Sequence, residues 1–568
     1  MIVKEGKKRM RQRTAMLIWI PVIVVLVAAM IVVTCLMNGF SKLMDFYFGS
    51  GEMRIESAAG TEDWNKEYYG TGELKDESEV LAAAEKLTAE IAGEGFVLLK
   101  NADGALPLDT SVAKEKAISC FGWGFSHPVY GGTGSGSVDT ETCVTPRKGL
   151  ENAGFTVNPE LTAAYDAWSK DPANALGNAV DTRNDNTTTA LMSAFGIQPR
   201  VDISADLRPT LMFGYGNWDL IEAPVSVLDM EQAREYSDVA LVMISRQGGE
   251  QGDLPMNMGD DSFYGRGDGK KYGYNPDKHY LELTDEEEAL IDAVKARDFG
   301  KIVVVINSSN VMEVAELEND AAIDAVLFAP GPGQTGFDAL GKILNGSVVP
   351  SGRTTDIFAS DFTLDPTFVN FADPKNYAYA AAAMRDPGAG KRNAYSNINK
   401  ENSYDAGFFV QYEEGIYVGY RYYETAHDIG KAGFDYDEAV TYPFGYGMSY
   451  TTFSQEIVGS SLGGDEMTVT VEVTNTGDEY SGKDVVQLYV TAPYTESYGI
   501  EKSTVSLVAF GKTGVIAPGR KDTVTLTFAK DDLTSYDYKT NECYVLDDGE
   551  YVFSLRSDSH FGIIRTSS

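Results

Sequence analysis

Positive charge is scarce in this sequence. Lys and Arg number 47 against 84 Asp and Glu, a formal net charge of −37. So acidic a surface repels phosphate backbones, which excludes nucleic acid as a partner. Cysteine is scarcer still: Cys35, Cys120, Cys143 and Cys543 are the only four, and no two form a Cys-x-x-Cys pair. That excludes a zinc site of this spacing, and Cys120 and Cys143 read as free thiols rather than a bridge. The four histidines, His127, His279, His427 and His560, stand apart in sequence and give no metal-ligand pattern. A phosphate loop is also missing. GGTGSGSV, Gly131 to Val138, has neither a Gly-Lys-Ser/Thr ending nor the G-x-G-x-x-G spacing. It reads as a flexible turn, with a backbone edge facing a sugar or a neighbouring domain as the functional alternative. No metal and no organic cofactor are expected.

The N-terminus carries the clearest local signal. MIVKEGKKRMRQR has six basic residues and one acid, and Ala15 to Met37 then runs without a charge. At about 1.5 Å per residue this run spans a hydrocarbon core of about 30 Å. A signal peptide's apolar region is only about 7–15 residues long, so the run predicts a membrane anchor. The basic flank predicts a cytoplasmic N-terminus, a single pass at the cell membrane and an extracytoplasmic body.

Beyond a polar stalk, Val80, Ala84, Leu87 and Ile91 recur at helical spacing. FVLLK, AISCF, DVALVMI, KIVVVIN and AIDAVLF are short apolar strands. Among them, TDEEEALIDAVKAR reads as a helix with a Thr284–Glu287 capping box, and TGFDALGKILNG as a helix closed by Gly346. Apolar strands alternating with amphipathic helices imply a mostly parallel sheet covered on both faces. Residues of about 155–230 and 365–410 read as irregular insertions. After Tyr450 the period becomes two: Val469, Val471 and Val473 alternate with polar residues, and further short strands follow, the last ending near Leu555. This pattern predicts a β-sandwich of immunoglobulin-like or fibronectin type III kind. The expected order is a cytoplasmic basic segment (1–14), a transmembrane anchor (15–37), a stalk (38–75), an α/β sandwich domain (76–449) and a fibronectin type III-like domain (450–568). The fold class is thus a mostly parallel α/β sandwich followed by an all-β sandwich, with one N-terminal transmembrane helix.

One stretch carries chemistry. In ISRQGGEQGDLP, Glu250 lies just past the strand DVALVMI, with Arg246 before it and Asp253 after it. Ligands of parallel sheets bind beyond the carboxyl ends of the strands. A glutamate on a glycine-rich turn there suits a general acid that must reach a bound substrate. A solvated loop carboxylate is the plain alternative.

Several strings occur together in order: GEGFVLLKNADGALPLD, ISRQGGEQGDLP, INSSNVMEVAEL, PGQTGFDALGKILNGSVVPSGR, YEEGIYVGYRYYET, YPFGYGMSYTTF and DVVQLYVTAPY. The set resembles glycoside hydrolase family 3, which includes many bacterial β-glucosidases, over roughly Glu77 to His560. The resemblance implies retaining hydrolysis of a terminal β-linked glucose or similar sugar, with a β-glucoside or oligosaccharide as substrate. It implies an acid/base glutamate in a pattern like SGEGxDR, which GGEQGDL matches at Glu250, with Asp253 at the pattern's Asp. Gln251 and Leu254 depart from that pattern. The family's nucleophile is an aspartate in an SDW-like string on a TIM-type barrel. This chain has no SDW, and its SDV (237–239) and SDF (360–362) stretches fall within the sandwich. The expected nucleophile is therefore none in this chain. Three readings stand: a truncated enzyme without its barrel, one chain of a split enzyme with the barrel on a separate chain, and a non-catalytic cell-surface module that binds glycans. On the first reading this chain alone is inactive or nearly so.

Overall fold

A computed structural model describes residues 76–132, 136, 138–171, 220, 222–248, 258, 275, 277–370, 414–495 and 499–566, together with 19, 26, 30 and 74. The chain divides into two units, residues 1–75 with 181–203, and residues 76–180 with 204–568. The first holds only Trp19, Leu26, Met30 and Leu74 among the described residues. The 15–37 run therefore lies almost wholly outside them. Among the described residues no helix is long and apolar enough to cross a membrane.

The second unit begins with helix α1 (Glu77–Gly95), which Asp76 caps by accepting from the Glu79 amide. The expected aliphatic stripe is present, but it faces outward: Val80, Leu87 and Ile91 are exposed, and the helix packs through Ala92 and Gly93. Strands β1 (Val97–Asn101), β2 (Ala117–Phe121), β3 (Thr156–Val157), β4 (Val239–Arg246), β5 (Lys301–Ser308) and β6 (Ala325–Phe328) form one sheet in the order β1-β6-β5-β4-β2-β3. All pairs are parallel except β1 with β6. The continuous apolar runs are explained by burial on both faces. Ala240, Val242 and Ile244 of β4 join one core, and Val239, Leu241 and Met243 join the other. Helices α2 (Pro146–Asn152), α3 (Pro159–Lys170), α4 (Met230–Tyr236), α5 (Asp285–Lys295) and α6 (Phe337–Leu344) accompany the sheet. The Thr284–Glu287 capping box is present at the start of α5.

One expectation is corrected at residue 155. The segment read as irregular from there opens with β3 and α3, whose Leu161 and Tyr165 are buried. Pro159 at the first helical position and Asn158 as cap were the local start signals. Residues 172–219, and all of 371–413, lie outside the described residues.

The all-β region begins with β9 (Phe453–Ser461), after the short pair β7 (Phe358–Ala359) and β8 (Val440–Tyr442). It continues with β10 (Glu466–Asn475), β11 (Val485–Thr491), β12 (Ser506–Lys512), β13 (Lys521–Ala529), β14 (Ser535–Asp537), β15 (Cys543–Val545), β16 (Val552–Arg556) and β17 (Gly562–Thr566). A three-stranded sheet β13-β10-β9 faces a four-stranded sheet β12-β11-β16-β17. Val471, Leu488 and Leu526 are buried between them, as the period-two pattern predicts. The chain does not end its strands near Leu555. β17 pairs antiparallel with β16 and completes the second sheet. Its GII core is too short to reveal alternation, so the pattern alone misses it. Cys120, Cys143 and Cys543 are free.

Candidate functional site

The sheet has a topological switch point. From β2 the chain goes to β3 on one side, then returns to place β4 on the other. The carboxyl ends of β2 and β4 thus diverge, and open α/β sheets bind ligands in such a crevice. After β2 the chain turns at Gly122, whose φ is +96° and where a Cβ would collide with the Met243 carbonyl. The close approach brings the next residues onto the end of β4.

Those residues form a rigid wall. The Trp123 and His127 rings stack at 3.6 Å, and Trp168 meets Trp123 edge-on. Glu222 accepts from the Trp123 amide (2.7 Å), the Ala223 amide (2.8 Å) and the Tyr165 hydroxyl (3.0 Å). Burial pushes its carboxyl up to about 8. Asn307, at the end of β5, accepts from the Val129 amide (2.6 Å) and donates to the carbonyls of Val129 and Ala329 (2.9 Å each). One buried amide therefore joins the loop after β2 to the ends of β5 and β6.

The end of β4 is held by Arg246, which is 1% exposed. Its guanidinium forms two bonds to Glu287, at 2.7 and 2.6 Å. It also donates to the carbonyls of Tyr280 (2.9 Å), Ser245 (2.9 Å) and Glu282 (2.7 Å). This planar fork with several donors is the geometry that arginine supplies and lysine does not. Arg246 thus braces the strand end rather than facing a ligand. Glu287 also accepts from the Thr284 amide at 2.9 Å, so the capping carboxylate of α5 doubles as the partner of Arg246. The capping box was legible in sequence. Its second role was not, because the two partners lie 41 positions apart.

Glu250 and Asp253 lie outside the described residues, which stop at Gly248 on this side. A Cβ at Gly248 would meet the side-chain amide nitrogen of Asn310 beyond β5 at 2.4 Å, so a side chain there requires Asn310 to move aside. Among the described residues, His279, Glu282 and Glu313 bring potential ligand atoms within 4.8 Å of one another. Their atoms already hold the turn. The His279 Nδ1 accepts from the Leu281 amide, its Nε2 meets Glu313 at 2.8 Å, and Glu282 accepts from the His279 amide. A groove of about 970 Å³ lies between α1, α6 and the Glu479–Lys483 turn. Charged side chains of both signs line it, but neither residues 246–248 nor residues 308–310 border it. It is not the crevice at the switch point.

The architecture defines a two-part protein: an α/β unit with an open crevice at its strand ends, followed by a β-sandwich. Residues 96–450 match the glycosyl hydrolase family 3 C-terminal domain, and residues 484–559 match a fibronectin type III-like domain. The chain belongs to glycosyl hydrolase family 3. It is 28% identical over 508 residues to β-glucosidase A of Butyrivibrio fibrisolvens, covering 85% of this chain and 51% of that protein. The crystal structure of a β-glucosidase from Paenibacillus barengoltzii superposes with a TM-score of 0.61 at 28% identity, over 85% of this chain and 42% of that one. β-Glucosidase 3B from Thermotoga neapolitana, solved with α-D-glucose, gives a TM-score of 0.58 at 25% identity, over 86% and 54%. The chain spans about half the length of the curated relatives it matches.

Proposed function

We propose that this chain supplies the acid/base part of a retaining β-glucosidase-type site, with Glu250 as the proton donor. The observation that carries this reading is the location of Gly248. It lies two residues past the braced end of strand β4 at the switch point, and two residues before Glu250. At no more than about 3.6 Å per residue, covalent reach ties position 250 to within about 7 Å of Gly248. The string GGEQGDL supports the same residue, and family membership supports the reaction class.

Glu250 first protonates the glycosidic oxygen, then activates water against the glycosyl-enzyme. Asp253 is its companion on the same segment. Arg246 contributes by fixing the strand end, not by touching sugar. The nucleophilic aspartate comes from a barrel outside residues 1–568, and the two carboxyls lie about 5–5.5 Å apart when assembled. The substrate is a terminal β-linked glucoside or a similar sugar. The test is turnover of aryl β-glucosides by residues 52–568, alone and with a nucleophile-bearing barrel of the family. Turnover is expected only with the barrel. Robust turnover by residues 52–568 alone contradicts an external nucleophile.

The uncharged run from 15 to 37 is read as a single-pass anchor behind a cytoplasmic basic flank. Expressed in a bacterium, the full chain should fractionate with membranes and residues 52–568 should not. Release of the full chain by a high-salt wash contradicts a spanning helix.

A further inference from the structure

The fibronectin-like sandwich meets the α/β region along helix α7 (Tyr420–Asp428), which the short helix α8 (Tyr436–Ala439) follows. The hydroxyl oxygens of Tyr420 and Thr425 on α7 accept from the amides of Leu507 (3.0 Å) and Thr504 (3.1 Å). The turn between β16 and β17 reaches the same place, where the Ser559 amide donates to the Phe444 carbonyl at 2.8 Å. Glu424 of α7 lies in this seam and is 1% exposed. Its Oε1 accepts from the hydroxyls of Tyr436 and Ser559, both at 2.7 Å. Its Oε2 meets His560 Nδ1 at 2.9 Å. The His560 ring is clamped: it stacks on Tyr436 at 3.8 Å, with His427 and Phe561 edge-on at 4.9 Å each. Asp558 shapes the turn by accepting from the amides of His560 (2.9 Å) and Phe561 (2.7 Å).

We propose that Glu424 and His560 form a pH-sensitive latch between the α/β region and the fibronectin-like sandwich, fastened while His560 carries its proton and loosened when the proton leaves. A carboxylate so deeply buried is costly unless a cation or strong donors meet it. Two of the three partners of Glu424 are neutral hydroxyls, so the positive charge comes from His560. The groups around that ring are Glu424, Asp428 and the exposed His427 on α7, Tyr436 on α8, and Asp558 and Arg556 on its own turn. Arg556 spends its guanidinium on the carbonyls of Ser559 (2.8 Å) and His560 (3.3 Å). Arg353, which also faces Asp558, is paired with Asp484 at 3.0 Å. The hydrogen bond to Glu424 holds the His560 pKa above its ordinary value against the opposing effect of burial, and Asp558 and Asp428 add to the rise. A histidine raised in the folded state stabilises fully below its unfolded value of about 6.5, and that stabilisation is lost as pH rises through the folded value. Neutral His560 can still donate from Nδ1, but Glu424 then stands beside Asp558 and Asp428 without the imidazolium charge.

Two measurements on the 568-residue chain test this. Exchange of the His560 ring C2 hydrogen, followed by mass spectrometry across pH, gives the titration midpoint of that residue. It should lie above about 6.5 and fall in Glu424→Gln, which keeps the shape and removes the charge. A midpoint at or below about 6.5 in the parent, or one that Glu424→Gln does not lower, overturns the proposal. Backbone amide protection, corrected for the intrinsic rate, is then compared at about pH 6 and about pH 9, on either side of the histidine range. Peptides covering residues 503–508 and 557–561 should lose protection at least about threefold at the higher pH, while the sandwich core at 467–473 keeps its own. In His560→Asn, which leaves a neutral donor near the Nδ1 position, the seam should be equally protected at both. The parent's pH dependence persisting in His560→Asn, or an equal loss in the sandwich core, overturns the latch. Should Glu424→Gln fail to fold, the parent midpoint and the His560→Asn comparison decide.

Discussion

Replacing Glu287 by alanine tests the brace beneath the strand end. The side chains of Arg246 and Glu287 are 0% and 6% exposed, and their two bonds are 2.7 and 2.6 Å long. Removing one partner of so buried a pair leaves the other charge uncompensated, at a cost of about 3–5 kcal/mol. The three carbonyls around Arg246 remain as acceptors, which moves the expectation toward the lower end. Part of the loss belongs to the helix cap, since Glu287 accepts from the Thr284 amide. Thr284→Ala isolates that part and should cost about 1 kcal/mol. Urea unfolding followed by tryptophan fluorescence is the assay. All five tryptophans precede residue 219, so the fibronectin-like domain is silent. Glu287→Ala should exceed Thr284→Ala by at least about 2 kcal/mol, more than a tenfold difference in the folding equilibrium. Equal losses in the two variants would refute the claim that the buried pair, rather than the cap, holds the end of β4.

Two further outcomes follow from burial. Leu488 is fully buried between Ala509 and Leu555 on the neighbouring strands, so Leu488→Ala should cost about 2–5 kcal/mol. A change of a few tenths, read by circular dichroism on denaturation, contradicts the packing described. Glu222 has its folded pKa raised to about 8 by burial, against about 4.3 unfolded. The folded state then keeps a proton that the unfolded chain has lost, so this group's contribution is present below about 4.3 and falls as pH rises toward 8. Urea midpoints should drop from pH 5 to pH 8, and less steeply in Glu222→Gln. Equal slopes would show that Glu222 is not the group responsible.

The parallel sheet was legible because five of its six strands fall in the mostly apolar runs FVLLK, AISCF, DVALVMI, KIVVVIN and AIDAVLF, and the sandwich because Val469, Val471 and Val473 alternate with polar neighbours. Local signals such as the Thr284–Glu287 box were legible for the same reason: the interaction spans three residues. What escaped was non-local. The Arg246–Glu287 pair, the Asn307 bridge and the contacts of Tyr280 each join residues dozens of positions apart. The outward face of α1 escaped too, since spacing gives an apolar stripe but not the side that packs. The strand β17 escaped because its apolar core is only two residues long before Arg565.

The most direct test of the acid/base assignment is the leaving-group dependence of Glu250→Gln in the chain assembled with a barrel. A positioned general acid contributes about 10²–10⁴-fold. A loss of that size is expected on a natural disaccharide, whose leaving group needs a proton. Activated aryl glucosides should be affected far less in the glycosylation step, and azide should restore turnover where deglycosylation limits. Unchanged hydrolysis of the disaccharide by Glu250→Gln would contradict the assignment and remove Glu250 from the acid role.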